Sequence, residues 1–235
     1  DHEMLNDLAH RVGQGEHWWD NFEGALDFIL EPMGITWQDF CKTEYIRGEV
    51  RYQKYKAKGF STPSRKFELY STLLEAWGID PLPRFREPPE SPYSKPDLYG
   101  KFPYILITGR RLPGFFHTEN RQLPWMRELH SDPVVEIHPD TAEKEGIKEG
   151  DWVVIESPRG SIRQRAKFFP GIDPRVVSAE HGWWFPEKKT PGHGWDEANI
   201  NMLTDNNYEA CDPAMGATPV RTLLCRIYPW ENESG

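Results

Sequence analysis

The sequence predicts a mainly β protein with a helical amino-terminal part, and three observations carry the prediction. Short apolar segments separated by turn signals follow residue 100, the pattern of strands in a closed sheet. Upstream, apolar residues recur at three- and four-residue steps, as on one face of a helix. Between the two patterns lies PLPRFREPPESPYSKP, Pro81 to Pro96, whose proline density favours an extended connection without internal hydrogen bonds. The expected organisation is a helical segment over 1–80 belonging to an upstream domain, a Pro-rich linker over 81–100 and a β-barrel over 101–235.

Taken in order, Met4, Leu5, Leu8 and Val12 predict a first helix with one buried stripe. A second is expected from Trp18 to Leu30, with Trp19, Phe22, Leu26, Ile29 and Leu30 on its apolar side. Pro32 and Gly34 end it, because proline lacks an amide donor and glycine relaxes the backbone. Thr36 is placed to cap a short helix containing Trp37, Phe40 and Cys41. After a charged loop, the alternation in Lys66-Phe67-Glu68-Leu69-Tyr70 predicts a short strand, and Ser71 caps a helix from Thr72 to Trp77 that stops at Gly78. Strands are then expected at Tyr104 to Thr108, Val134 to His138, Trp152 to Ser157, Ser161 to Phe169, Val176 to Glu180 and Thr222 to Tyr228. Pro158-Arg159-Gly160 is the turn of one hairpin, with Gly160 free to take positive φ. Asp140 to Glu143 reads as a capping-box-like helix start, closed by Gly146.

The totals narrow the functional classes. A formal net charge of −9 over 235 residues argues against nucleic-acid binding and gives no readable membrane contact. No apolar run approaches the roughly 18 residues that span a bilayer. Cys41, Cys211 and Cys225 are odd in number and widely spaced, which fits buried free thiols better than disulfides or clustered metal ligands. Asp1 in place of Met predicts the carboxyl-terminal piece of a longer chain. Its missing part would decide between cytoplasmic residence and Tat export to the periplasm.

Against that acidic background, Tyr104 to Arg127 concentrates Arg110, Arg111, Arg121, Arg127 and His117, with Glu119 as the one opposing charge. Guanidinium forks grip anions bidentately, and Gly109 directly after a strand lets a ligand approach the backbone, so a bound anion is expected. HGWW, from His181 to Trp184, also follows a strand, where binding groups collect; its tryptophans read equally as pocket wall or as core. NINMLT, with Asn199, Asn201 and Thr204, offers amides able to read a heterocycle edge, or simply to satisfy a turn. There is no CxxC cluster, P-loop, GxSxG elbow or HExxH helix, and the histidines lack metal-ligand spacing.

Taken together, LITGR, HTENRQLPWMREL, VVEIHPDTAEKEGIKEGDWVVIESPRGSI, HGWW and NINMLT resemble the carboxyl-terminal molybdopterin-dinucleotide-binding domain of the dimethyl-sulfoxide-reductase family of molybdenum and tungsten oxidoreductases, over about Lys101 to Pro229. RQLPWMREL is most similar to the acetylene-hydratase-like branch. GFSTPSRKFELYS resembles the segment before that domain, where the family usually writes Gly in place of Arg65. The resemblance implies a double-psi β-barrel over one face of a bis-molybdopterin guanine dinucleotide (bis-MGD) carrying molybdenum or tungsten. It implies that Thr108, Gly109 and Arg110 meet one pterin dinucleotide, His117 and Thr118 lie over the pterin, His181 and Trp183 contribute from HGWW, and Asn201 bonds the heterocycle. No catalytic residue and no metal ligand are assigned; those, and any iron–sulfur cluster, would belong to the missing amino-terminal region. Upstream domains of the same polypeptide are the implied partners, and an iron–sulfur electron-transfer subunit is common in the family. The isolated chain is expected to be inactive. The alternatives are a non-catalytic barrel binding an anion or a partner protein and, lowest, a small metal-dependent hydrolase.

Overall fold

The computed structural model describes residues 1–43, 45–110 and 113–231, Arg110 by its backbone alone. The chain divides into two compact units, Asp1–Phe67 and Glu68–Gly235, so the boundary falls upstream of the proline run.

The first unit is helical. Helix α1 (His2–Arg11) does not bury its predicted stripe: Asn6 and Ala9 face inward, whereas Met4 and Val12 are 63% and 61% exposed. Polar contacts hold that inner face, with the Asn6 amide and the His10 imidazole both reaching the Trp19 carbonyl, at 3.0 and 2.8 Å. Helix α2 (Phe22–Leu30) starts later than expected, because the Asn21 side chain caps it by accepting from the Gly24 amide; it buries Ala25 and Leu30 and leaves Ile29 exposed. Helix α3 (Trp37–Phe40) is capped as expected, Thr36 Oγ1 accepting from the Asp39 amide at 3.1 Å. Within the charged loop a further short helix, α4 (Tyr55–Lys58), ends at Gly59. Arg65 takes a left-handed φ of +58°, a conformation that glycine adopts without strain.

No strand forms at 66–70, since alternation alone supplies no neighbouring strand to pair with. Ser71 caps α5 (Thr72–Ala76) through the Leu74 amide. The proline run leads to α6 (Pro96–Tyr99), and Glu90 ties it to the strands that follow: its carboxylate accepts from both terminal nitrogens of Arg159 and from the Leu224 amide.

Six strands then close a barrel in the order β1-β5-β2-β4-β3-β6. They are β1 (Tyr104–Arg110), β2 (Val134–Ile137), β3 (Trp152–Ser157), β4 (Gly160–Phe168), β5 (Val176–Glu180) and β6 (Leu223–Pro229). Pairings β1·β5 and β2·β4 are parallel, the other four antiparallel. Alternate residues point inward, so Leu106, Val135, Ile137, Val153, Ile155 and Val177 make one dry core. Helix α7 (Pro124–Leu129) precedes β2 and α8 (Pro139–Lys144) follows it. His138 rather than Asp140 caps α8, its Nδ1 accepting from the Asp140 amide at 3.1 Å. Gly160 does not use positive φ in the β3–β4 turn; a Cβ there would instead come within 3.2 Å of the Met202 carbonyl. Of the thiols, Cys225 alone is buried, and burial pushes it up; Cys41 is exposed and Cys211 half-buried. Among the described residues no helix is long and apolar enough to cross a membrane.

Candidate functional site

Two chain segments emerge side by side at the carboxyl ends of the parallel pair β1 and β5. The register of β1 against β5 breaks between Thr108 and Arg110, where Gly109 bulges with φ +103° and open space where a Cβ would stand. Thr108 is half-buried and its hydroxyl donates to the Val220 carbonyl at 3.0 Å, which leaves exposed Gly109 as the accessible part of the strand end. Arg111 lies outside the described residues, as does the side chain of Arg110.

The loop after β1 turns through His117 and Asn120, both left-handed at φ +51° and +69°. Such backbone costs on the order of 1 kcal/mol in a non-glycine residue and persists where surrounding contacts enforce it. Those contacts come from the turn after β5. His117 Nδ1 and His181 Nε2 are hydrogen-bonded at 3.0 Å, one ring donating and the other accepting. The Trp184 indole donates to the Thr118 carbonyl at 2.7 Å. Gly182, at φ +73°, packs so closely that a Cβ would fall 2.6 Å from the His117 carbonyl oxygen. His117 and Thr118 are exposed and His181 half-exposed, so the imidazole pair stands on the rim.

Beneath the rim lies a buried polar assembly that sequence reasoning missed. Arg121, counted there among the anion-binding arginines, is 2% exposed and paired with Glu180, equally buried, at 3.3 Å. Its guanidinium lies between the rings of Phe115 and Trp183, 4.2 and 4.4 Å from their centroids. Burial lowers its proton affinity from the ordinary value, Glu180 opposing and Arg127 reinforcing the shift. Glu180 also accepts from His130 Nε2 at 2.9 Å and the Val134 amide at 3.1 Å. Gln164 of β4 clamps the Glu180 backbone, accepting its N–H at 3.0 Å and donating to its carbonyl at 2.8 Å. The one available signal was polar residues at inward positions, Gln164 between Ile162 and Ala166, and Glu180 closing an apolar strand. Arg127 is paired with Glu187 at 3.0 Å, so two of the four arginines are neutralised within the protein and the loop is less basic than its sequence.

Trp183 resolves toward core. Its ring is fully buried against Phe115, His130 and Phe185, so it backs the rim rather than facing outward. Asn201 lies on a 3-10 turn (Ile200–Met202) that packs on β4; it is exposed, and its backbone amide is held by Asn199 Oδ1 at 3.0 Å. The structure thus brings Gly109, His117, Thr118 and His181 to the loops of two neighbouring strands. Among the described residues no cluster of three or more metal-ligating side chains occurs.

The family described as Molydopterin dinucleotide binding domain matches residues 104–223. Dopamine dehydroxylase of Eggerthella lenta is 43% identical over 174 residues, 72% of this chain and 17% of that protein. Acetylene hydratase of Syntrophotalea acetylenica is 31% identical over 234 residues, 96% of this chain and 32% of its own length. The solved acetylene hydratase from Pelobacter acetylenicus superimposes with a TM-score of 0.88 at 29% identity, covering 98% of this chain and 33% of that one. The chain therefore spans a third or less of the length of these relatives.

Proposed function

This chain belongs to the molybdopterin-dinucleotide-binding domains of the dimethyl-sulfoxide-reductase family, and from that premise we propose that it is the cofactor-clamping portion of a larger bis-MGD oxidoreductase. The observation that carries the reading is the joined rim, where the segments after β1 and β5 lock together and present His117 and His181 beside the open bulge at Gly109. Two parallel pairings within one closed six-stranded barrel support the double-psi topology.

The donor set fits such a group. Gly109 offers backbone that a diphosphate can approach, the exposed His117 imidazole, held by His181, offers its second ring nitrogen to a fused heterocycle, and the exposed Asn201 amide can read a ring edge. Arg110, at the end of β1, would supply charge to a phosphate. Trp183 and Arg121 act from below by holding the rim rigid. When bound, the group supplies two-electron chemistry at molybdenum or tungsten; this chain binds and orients it, and catalysis resides with upstream domains. Any iron–sulfur cluster or electron-transfer subunit would be met through those domains.

Metal and pterin analysis of the full-length protein tests the reading. Molybdenum or tungsten with a guanine-nucleotide pterin is the expected result, whereas a pterin-free protein or stoichiometric zinc overturns it. Arg110→Ala in that protein should weaken cofactor retention by about 1.5–3 kcal/mol, the worth of a charge-assisted bond. Unchanged occupancy would remove Arg110 from the phosphate site.

A further inference from the structure

We propose that Arg121 is a positioning residue, whose buried guanidinium sets the backbones of His117 and His181 so that their imidazoles meet and present one fixed face to the cofactor. The inference rests on the cofactor reading above. A single nitrogen, Arg121 Nη2, lies 3.1 Å from the His117 carbonyl, 3.5 Å from the His181 carbonyl and 3.3 Å from the Glu180 carboxylate. It therefore touches the main chain of both histidines, which are 64 residues apart in sequence. The rest of the group makes no hydrogen bond with the described residues: Nε and Nη1 are buried and lie against aromatic faces.

That arrangement suits a planar cation. Lysine could bring an ammonium to the place of Nη2, but it has no plane to lie against the Phe115 and Trp183 rings that fix where that nitrogen sits. A bond between two imidazoles is steep in distance and angle. His117 also sits in a left-handed conformation that its own chain would leave if released. Gly182 provides a second lock on the same two backbones without any charge, because its missing Cβ is what lets the His117 carbonyl approach. Sequence reading assigned Arg121 to the anion; burial takes it away from any anion and gives it to the histidines.

The test uses the full-length, cofactor-loaded enzyme with the variants Arg121→Met, Arg121→Lys and Gly182→Ala, and His117→Ala as a background. The readouts are pterin retained per protein after gel filtration and the metal's paramagnetic-resonance spectrum and midpoint potential in the loaded fraction. Arg121→Met and Gly182→Ala should each raise cofactor loss by about tenfold, as for groups that orient cofactor ligands, and displace the spectrum in the same direction. Arg121→Lys should not rescue. On the His117→Ala background, Arg121→Met should add nothing further, since both changes act through one pair. Should the Arg121 variants fail to fold, Gly182→Ala keeps the inference testable, because its Cβ would displace the His117 carbonyl that Arg121 Nη2 touches while leaving the guanidinium itself unchanged. Wild-type retention and spectrum in Gly182→Ala, or an undiminished Arg121→Met effect on the His117→Ala background, overturns the inference alone. A wild-type enzyme without pterin overturns the cofactor reading, and this inference with it.

Discussion

In the barrel, Leu106, Val135, Ile137 and Val153 have no exposed surface, whereas in the amino-terminal helices Met4, Val12 and Ile29 each expose more than half of theirs. The helical face was read from three- and four-residue periodicity, the strands from short apolar segments bounded by turn signals. The difference is who supplies the cover. A strand in a closed barrel is covered by its own sheet curling round, so inward positions are dry once the strands exist. A helical stripe needs a second element, and within Asp1–Phe67 the described residues bury small or polar ones, Asn6, Ala9 and Ala25, together with Leu30. Periodicity therefore identifies a face; it does not identify its partner. Apolar surface of this kind agrees with the proposal that the unit belongs to a larger subunit.

The sharpest way to break the comparison is to attack the barrel unit where it is most completely buried. Trp183→Ala removes a ring with no exposed surface, packed on Phe115, Phe185 and the Arg121 guanidinium, and should cost about 3–5 kcal/mol in the barrel's unfolding. Urea unfolding followed by near-ultraviolet dichroism reads it; a loss below about 1 kcal/mol would mean that the site collapses without harm. Glu180→Gln comes next, at about 3 kcal/mol, because it leaves Arg121 buried without its counter-charge. A stability equal to wild type would show that the pair is dispensable.

These two residues also mark where sequence reading stopped. All six strands were legible, to within a residue or two at each end, because turn residues bound them and alternation or an apolar run marks each. The rim was partly legible: Gly109 near the end of β1, His117 in the loop after it and His181 directly after β5 were singled out by residue type and position. Arg121 misled, since charge in a loop reads as surface unless its partner is known, and Glu180 lies 59 residues away. Trp183 could have gone either way, as burial depends on what the 113–121 loop does. Asn201 was chosen for its amide, and residue type alone did not foretell the 3-10 turn that carries it.

Smaller changes sharpen the contrast from the other unit. Thr36→Ala deletes the cap of α3 and should cost about 1 kcal/mol in the stability of Asp1–Phe67 while leaving the barrel's transition in place. A shift in the barrel transition instead would show the two units to be energetically one. In the barrel, hydrogen bonds from Arg226 hold the Glu156 carboxyl below the usual carboxylate range, against its partial burial and with help from Tyr228. A depressed carboxylate contributes stability above its unfolded value, lost as pH falls through the folded one. Glu156→Gln should therefore flatten the decline of the barrel's stability below about pH 4.3. With Arg226 half exposed, the effect stays under about 1 kcal/mol. An acid limb identical in mutant and wild type would sink that assignment.

The smallest expected effect is a gain. Arg65 closes a turn in which the Phe60 amide donates to its carbonyl at 2.9 Å and its own amide donates to Thr62 at 3.0 Å, and it does so at φ +58°. The carbonyl approaches Gly59 so closely that a Cβ there would lie 2.7 Å away, so the turn has no slack through which to relax. Arg65→Gly removes the left-handed penalty of a side chain, about 1 kcal/mol, and returns part of it as extra freedom of the unfolded chain. The net expectation is a stabilisation of about 0.5 kcal/mol confined to Asp1–Phe67, read by thermal unfolding. Arg65→Val must do the opposite, because a β-branched residue is strained there whatever its polarity. If glycine and valine shifted the midpoint alike, backbone conformation would not be what distinguishes this position.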